Sequence, residues 1–159
     1  MRALVLVVVA GCATDPQVGD PGFERDAALD VDNRSTHGED RSHHTGENCM
    51  QCHQAHGPGL GLFTIAGSVF GADGRPVSNP TIDLYDGPAD MGGQIVAHLD
   101  GDTQGNVFTT DPMPFPDTPL YPVVKSQNAT LINHMPFGVT SGACNLCHRP
   151  DLRIQVLPP

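Results

Sequence analysis

The pentapeptide Cys49-Met50-Gln51-Cys52-His53 returns near the C-terminus as Cys144-Asn145-Leu146-Cys147-His148. No other feature limits the fold so sharply. Two thiols three residues apart can each add to one vinyl group of a haem, and the imidazole that follows reaches the iron from the same side. A chain with two such segments has to fold around two large apolar discs. The spacing therefore predicts two covalently attached haem c groups, bound through Cys49, Cys52, Cys144 and Cys147, with His53 and His148 on the irons. A zinc site is the rival reading, because C-x-x-C also presents two thiolates to a tetrahedral ion. It gives no reason for a His directly after the second Cys in both copies. A thioredoxin-like redox pair fits less well, since no βαβ pattern surrounds either copy.

The chain has five cysteines, four in the motifs and the fifth at Cys12, which leaves none for a disulfide. The N-terminus nevertheless reads as exported. Arg2 precedes the apolar run Ala3 to Ala10, too short to span a bilayer and shaped like the core of a signal peptide over 1–11. Val9-Ala10-Gly11-Cys12 resembles a bacterial lipobox, which implies cleavage before Cys12 and a lipid anchor on that residue. An ordinary signal peptide with an incidental Cys12 is the other reading. A small exported domain without disulfides needs another staple, and covalent haem supplies one through thioether bonds, iron coordination and an apolar face to pack against.

From 12 to 42 the chain is rich in Asp, Glu, Gly, Ser and His and poor in large apolar residues. This composition predicts an acidic, flexible tether whose ends lie roughly 30–35 Å apart as a loose coil. A first haem segment follows over 43–61, where Gly57-Pro58-Gly59-Leu60-Gly61 ends any helix begun at Cys49. Short strand patterns then occupy 62–133. Strands are expected at Leu62 to Phe70, Thr81 to Tyr85, Ile95 to Leu99, Asn106 to Thr110, Tyr121 to Lys125 and Ala129 to Asn133, with a hairpin signal at Asp73-Gly74. In Thr81 to Tyr85, Ile82 and Leu84 share one face and Asp83 and Tyr85 the other. The expected fold is mainly β, a small antiparallel sandwich flanked by two haem segments, the second over 134–159.

The stretches Phe63 to Phe70, Asp73 to Val77, Thr81 to Leu84 and Gly105 to Phe108 resemble the carboxypeptidase regulatory-like, or transthyretin-like, β-sandwich over about Leu62 to Thr110. That resemblance implies a fold and no activity. The Pro-rich stretch Pro112 to Pro122 and the second haem segment stand where the family has its closing strands. A lipobox with C-x-x-C-H on each side of such a sandwich is similar to small exported c-type cytochromes of bacteria that use multihaem electron transfer.

The second axial ligand of each iron is open to several residues. Spare candidates are His37, His43, His44, His56, His98 and His134, with Met50, Met91, Met113 and Met135. Such a surplus of imidazoles favours bis-histidine, low-potential haems. His44, or else His43, closely precedes the first motif, and His134 shares a short loop toward the second with its competitor Met135; His98 reads as a surface residue. A net charge of −10 repels nucleic acid and anionic surfaces and would steer basic redox partners, among them other cytochromes. The expected function is single-electron transport from a lipid-anchored position in the cell envelope, facing the periplasm or the cell surface. The alternatives are a module whose haems staple the fold or help it self-associate, and a small haem reductase or peroxidase, which would need an open iron position.

Overall fold

A computed structural model describes residues 17–158 of the 159-residue chain. Cys12 and the expected signal peptide lie outside the described residues. Eight strands are present, β1 Ile65–Phe70, β2 Thr81–Tyr85, β3 Ile95–Asp100, β4 Asn106–Thr109, β5 Tyr121–Lys125, β6 Ile132–His134, β7 Gly142–Ala143 and β8 Ile154–Gln155, with one short helix, α1 Cys144–Cys147. They form two sheets. One runs β4-β1-β7 with β8 also on β1, and the other runs β3-β2-β5-β6. The chain is thus a small, mainly β sandwich, as its alternating patterns predict.

The two sheets close on an aliphatic core of Ile65, Val69, Ile82, Leu84, Leu99, Val107, Leu120, Val124 and Val156. Strand alternation explains the selection: Ile82 and Leu84 of β2 face inward opposite Val124 of β5, and Ile65 and Val69 do the same from β1. β1 is buried along its whole length. Its inner face is Ile65, Gly67 and Val69, and its outer face carries Ala66, Ser68 and Phe70.

The hairpin signal at Asp73-Gly74 does not join consecutive strands of one sheet. Asp73-Gly74 makes a local turn, closed by Gly71 N–H on Arg75 O at 2.8 Å and by a bridge from Phe70 to Pro76, after which the chain crosses to the other sheet. It does not pair β1 with β2. The sandwich also extends past residue 133, because β7 and β8 join β1 in parallel, through Ile65 with Gly142 and Val69 with Ile154. The second C-x-x-C-H helix therefore sits in a break within one edge strand. Val156, just beyond β8, is fully buried and fills the core from that edge.

The expected tether is packed over its described part, 17–42. Arg34 bridges Thr109 in antiparallel register, Ser35 N–H donates to Phe108 O at 3.0 Å, and Thr110 N–H donates to Asn33 O at 3.0 Å, so residues 33–35 line the free edge of β4. Further along, Thr103 N–H donates to Glu39 O at 2.8 Å and Gln104 Nε2 donates to the carbonyls of Asp40 and Ser42. The reason is chemical. A polar segment too poor in apolar residues to form a core can still satisfy the open hydrogen bonds of a sheet edge. Among the described residues no helix is long and apolar enough to cross a membrane.

Candidate functional site

Both C-x-x-C-H segments pack on β1, from different sides. The first lies over the outer face. Cys49 opens a short 3-10 turn, Cys49–Gln51, that Cys52 caps, and His53 follows, buried and stacked on Phe63 with ring centres 3.9 Å apart and planes 5° from parallel. Phe63 stacks in turn on Phe108 of β4 at 4.8 Å. The Gly57-to-Gly61 run, which sequence marks only as a helix breaker, wraps this imidazole. A β-carbon on Gly59 would stand 2.6 Å from the His53 ring, so only glycine lets the loop approach so closely. His53 Nδ1 lies 2.9 Å from Leu60 O, to which its N–H donates, leaving Nε2 as the free lone pair. Burial, with His43 and Arg25 nearby, holds this imidazole below its ordinary pKa and hence neutral, the form that ligates a metal.

The second segment repeats that arrangement in a different setting. His148 Nδ1 donates to Leu152 O at 2.9 Å, so its Nε2 is free as well. Cys144 points inward beside the core, into space that Gly67 leaves open: a β-carbon at Gly67 would meet Cys144 Cβ at 2.8 Å and its Sγ at 3.3 Å. Enclosure pushes the Cys144 thiol up to about 12, and burial raises Cys49 too, while Cys52 and Cys147 are exposed. Around Cys144, Cys147 and His148 opens a largely apolar cavity of about 440 Å³. Ile65, Ile82, Leu84 and Val124 form its floor, so it is continuous with the core. Phe137, Leu146 and Leu152 at its rim are 60%, 51% and 62% exposed, apolar surface placed where a flat apolar group would cover it.

The spare ligand candidates separate clearly. His43 and His53 have ring centres 6.3 Å apart. Metal–nitrogen bonds of about 2.0–2.1 Å put two imidazoles on opposite sides of one metal at nearly that spacing. His44 turns away. Its φ of 55° is left-handed, and its Nδ1 lies 3.2 Å from the Glu47 carboxylate. At the second site His134 and Met135 both line the cavity. β6 pairs His134 with Val123, which pairs with Asp83 on the outer face of its sheet, whereas Asn133 opposes the core residue Val124. Alternation therefore sends His134 outward at the rim and returns Met135 to the cavity side, next to Pro122, whose carbonyl accepts the Met135 N–H at 3.0 Å.

Most of the other candidates are engaged elsewhere. His98 Nδ1 lies 2.5 Å from Asp83 Oδ1, and its Nε2 and that of His37 are each 3.3 Å from Asp100 Oδ1. His56 borders the Phe23 carbonyl, Met113 packs against the core and Met91 is 80% exposed. Comparison of the chain with protein-family models, with curated proteins and with solved structures finds no match.

Sequence reasoning passed over Asn145, Ser68, Asn106 and Gly67. Gly67 had a readable signal, since a lone glycine inside a strand marks close approach of another group. Asn145 had none, because it occupies a variable position of the motif.

Proposed function

We propose that the protein is a dihaem c-type electron carrier, with haem held by Cys49, Cys52 and His53 at one site and by Cys144, Cys147 and His148 at the other. The observation that carries this reading is the common environment of His53 and His148. Each directly follows a C-x-x-C pair, and each has its Nδ1 tied to a backbone carbonyl so that Nε2 is left for iron. A tetrahedral zinc site needs three or four donors on one point, and among the described residues no three His, Cys, Asp or Glu side chains converge in that way. Bound haem would supply one-electron chemistry at iron. The protein contributes two imidazoles with Nε2 left free, the aromatic stack behind His53 and the apolar cavity beside Cys144.

We assign His43 as the second ligand of the first iron, supported by its ring spacing of 6.3 Å from His53, and Met135 as that of the second, supported by its place on the cavity side; His44 and His134 are the alternatives. A thioether stabilises ferrous iron more than imidazole does, so the two haems differ in potential, the second being higher. A second reading has its own support. The cavity is continuous with the core, so the second haem also staples the fold, a role compatible with carrying electrons. We assign the lipid anchor to Cys12 and the working site to the cell envelope, on the lipobox alone.

The test is haem content and ligation in protein made with a cytochrome c maturation system. Two haems per chain by haemochrome assay and intact mass are expected. The ferric far-red band of sulfur ligation is also expected, lost in Met135→Ala but kept in His134→Ala. His43→Ala should turn one haem high-spin, and His44→Ala should not. Zinc in place of haem would sink the proposal, and a spectrum insensitive to His43 and Met135 would remove these two ligands.

A further inference from the structure

We infer that Asn145 is a positioning residue that locks the two haem segments into one electron-exchange unit, with the Cys49 and Cys144 edges adjoining across β1. The inference rests on the haem reading above. Asn145 is 5% exposed, and all of its amide is engaged. Its Oδ1 accepts the Ser68 N–H at 3.2 Å, and its Nδ2 donates to Ser68 Oγ at 3.0 Å and to Glu47 O at 2.8 Å.

The first of these bonds repairs the sheet. β7 pairs with Ile65 and Ala66 and β8 with Val69 and Phe70, so where α1 interrupts the edge strand the Ser68 N–H lacks a strand partner, and the Asn145 side chain supplies one. That task needs only Oδ1. The reach of Nδ2 to Glu47, 98 residues earlier, does something else. Glu47 O also lies 3.7 Å from Cys49 Sγ, so the first cysteine of one motif and the neighbour of the first cysteine of the other meet at a single oxygen atom.

The surrounding network leaves little freedom. Ser68 Oγ donates to Asn106 Oδ1 at 2.6 Å and accepts from Gly46 N–H at 2.8 Å as well as from Asn145, which uses its full hydrogen-bonding capacity. Asn106 Nδ2 donates to Ser42 Oγ and Thr45 Oγ1 at 2.8 and 2.9 Å, fixing the chain that leads from His43 into Cys49. Buried and fully satisfied, such a network specifies one arrangement of the groups it joins. A single electron passing between the irons leaves one oxidised and the other reduced, with no proton or outside reactant, so the rate depends on how the two sites are held.

The experiment uses the full haem-loaded chain. Circular dichroism in the Soret region is recorded for the wild type and for two single-haem variants, Cys49→Ala/Cys52→Ala and Cys144→Ala/Cys147→Ala. Adjoining haems give a wild-type spectrum with a two-signed remainder after the single-haem spectra are subtracted. In Asn145→Ala with both haems present, that remainder should fall by half or more, and amide exchange at Gly46 and Ser68 should quicken. Asn145→Asp, which keeps the Ser68 N–H bond but cannot donate to Glu47, carries the same test if truncation lowers haem content. Additive wild-type spectra, or a remainder unchanged in both variants, overturn the inference. Fewer than two haems in the wild type overturns the haem reading instead, and the haemochrome assay tells the two apart.

Discussion

Substituting Gly67 by Ala pits two effects of opposite sign against each other. In an unhindered strand the change stabilises, by about 0.4–1 kcal/mol, because it narrows the unfolded ensemble. At Gly67 the new methyl would stand 2.8 Å from Cys144 Cβ and 3.3 Å from both Cys144 Sγ and Ile154 Cδ1. The Ile154 tip can shift, but Cys144 Cβ, the nearest atom, cannot retreat easily because it is fixed to the backbone of the helix that Cys144 opens. Overpacking of this kind costs about 1–3 kcal/mol. The net expectation is a loss of about 1–2 kcal/mol, or roughly 2–8 °C in melting temperature for a chain of this length. Because Cys144 is the group displaced, content of the second haem should fall while the first is kept. Gly87→Ala is the control: its nearest neighbour would be 3.7 Å away, an ordinary contact, so it should be neutral or mildly stabilising. Thermal denaturation with haem counting measures both. A Gly67→Ala protein with two haems and an unchanged or raised melting temperature would refute the claim that Gly67 exists to admit Cys144.

Stability should also respond to pH through the outer face of the β3-β2-β5-β6 sheet. There Asp83, 4% exposed, receives Lys125 Nζ and His98 Nδ1, each at 2.5 Å, and His98 also faces Asp100, which His37 shares. The bond to Asp83 holds His98 above its ordinary pKa; burial pushes Asp83 up, but its two partners outweigh that and hold it low. A raised folded pKa gives stability that is complete below the unfolded value near 6.5 and is lost as pH rises through the folded one. Urea midpoints should therefore fall across that window, and His98→Gln should flatten the fall; an identical slope in the variant would dismiss the pair. Ser35→Ala removes a hydroxyl that donates to Asp100 O at 2.6 Å and accepts from Phe108 N–H at 2.8 Å. It should cost about 1–2 kcal/mol in a urea titration, whereas a free tether would register nothing.

The parts of this architecture that were legible are those fixed by local chemistry. β2 falls on its sequence pattern because alternation over five residues is a strong signal, and β5 because β-branched Val123 and Val124 stand between proline-rich and polar turn residues. The motifs were legible because a C-x-x-C-H spacing that occurs twice is visible in the sequence itself. β7 and β8 were not, since two residues carry no period and their pairing is set by β1, far away in sequence. His43 and His44 are equivalent in composition and position; the left-handed backbone at His44 separates them, and that belongs to the fold. Residues 17–42 read as coil because they lack apolar side chains, although their order comes from backbone bonds to a sheet edge.

The two C-x-x-C-H segments relate differently to the core, so loss of the two proposed haems should not be equivalent. The first covers the outer face of β1 and is held by hydrogen bonds and by the His53–Phe63–Phe108 stack, beneath which the aliphatic core is already closed. The second lies between β7 and β8, and its cavity of about 440 Å³ shares four walls with the core. An empty apolar cavity of that size would cost on the order of 10 kcal/mol, an upper bound because this one opens to solvent. Even a fraction of that is large against a domain stability of about 5–15 kcal/mol. Cys144→Ala/Cys147→Ala should accordingly melt well below Cys49→Ala/Cys52→Ala, which calorimetry on the same preparations that supply the single-haem spectra checks. Equal melting temperatures would mean that the cavity closes without its haem, and that Val156 and the aliphatic core hold the β7–β8 edge unaided.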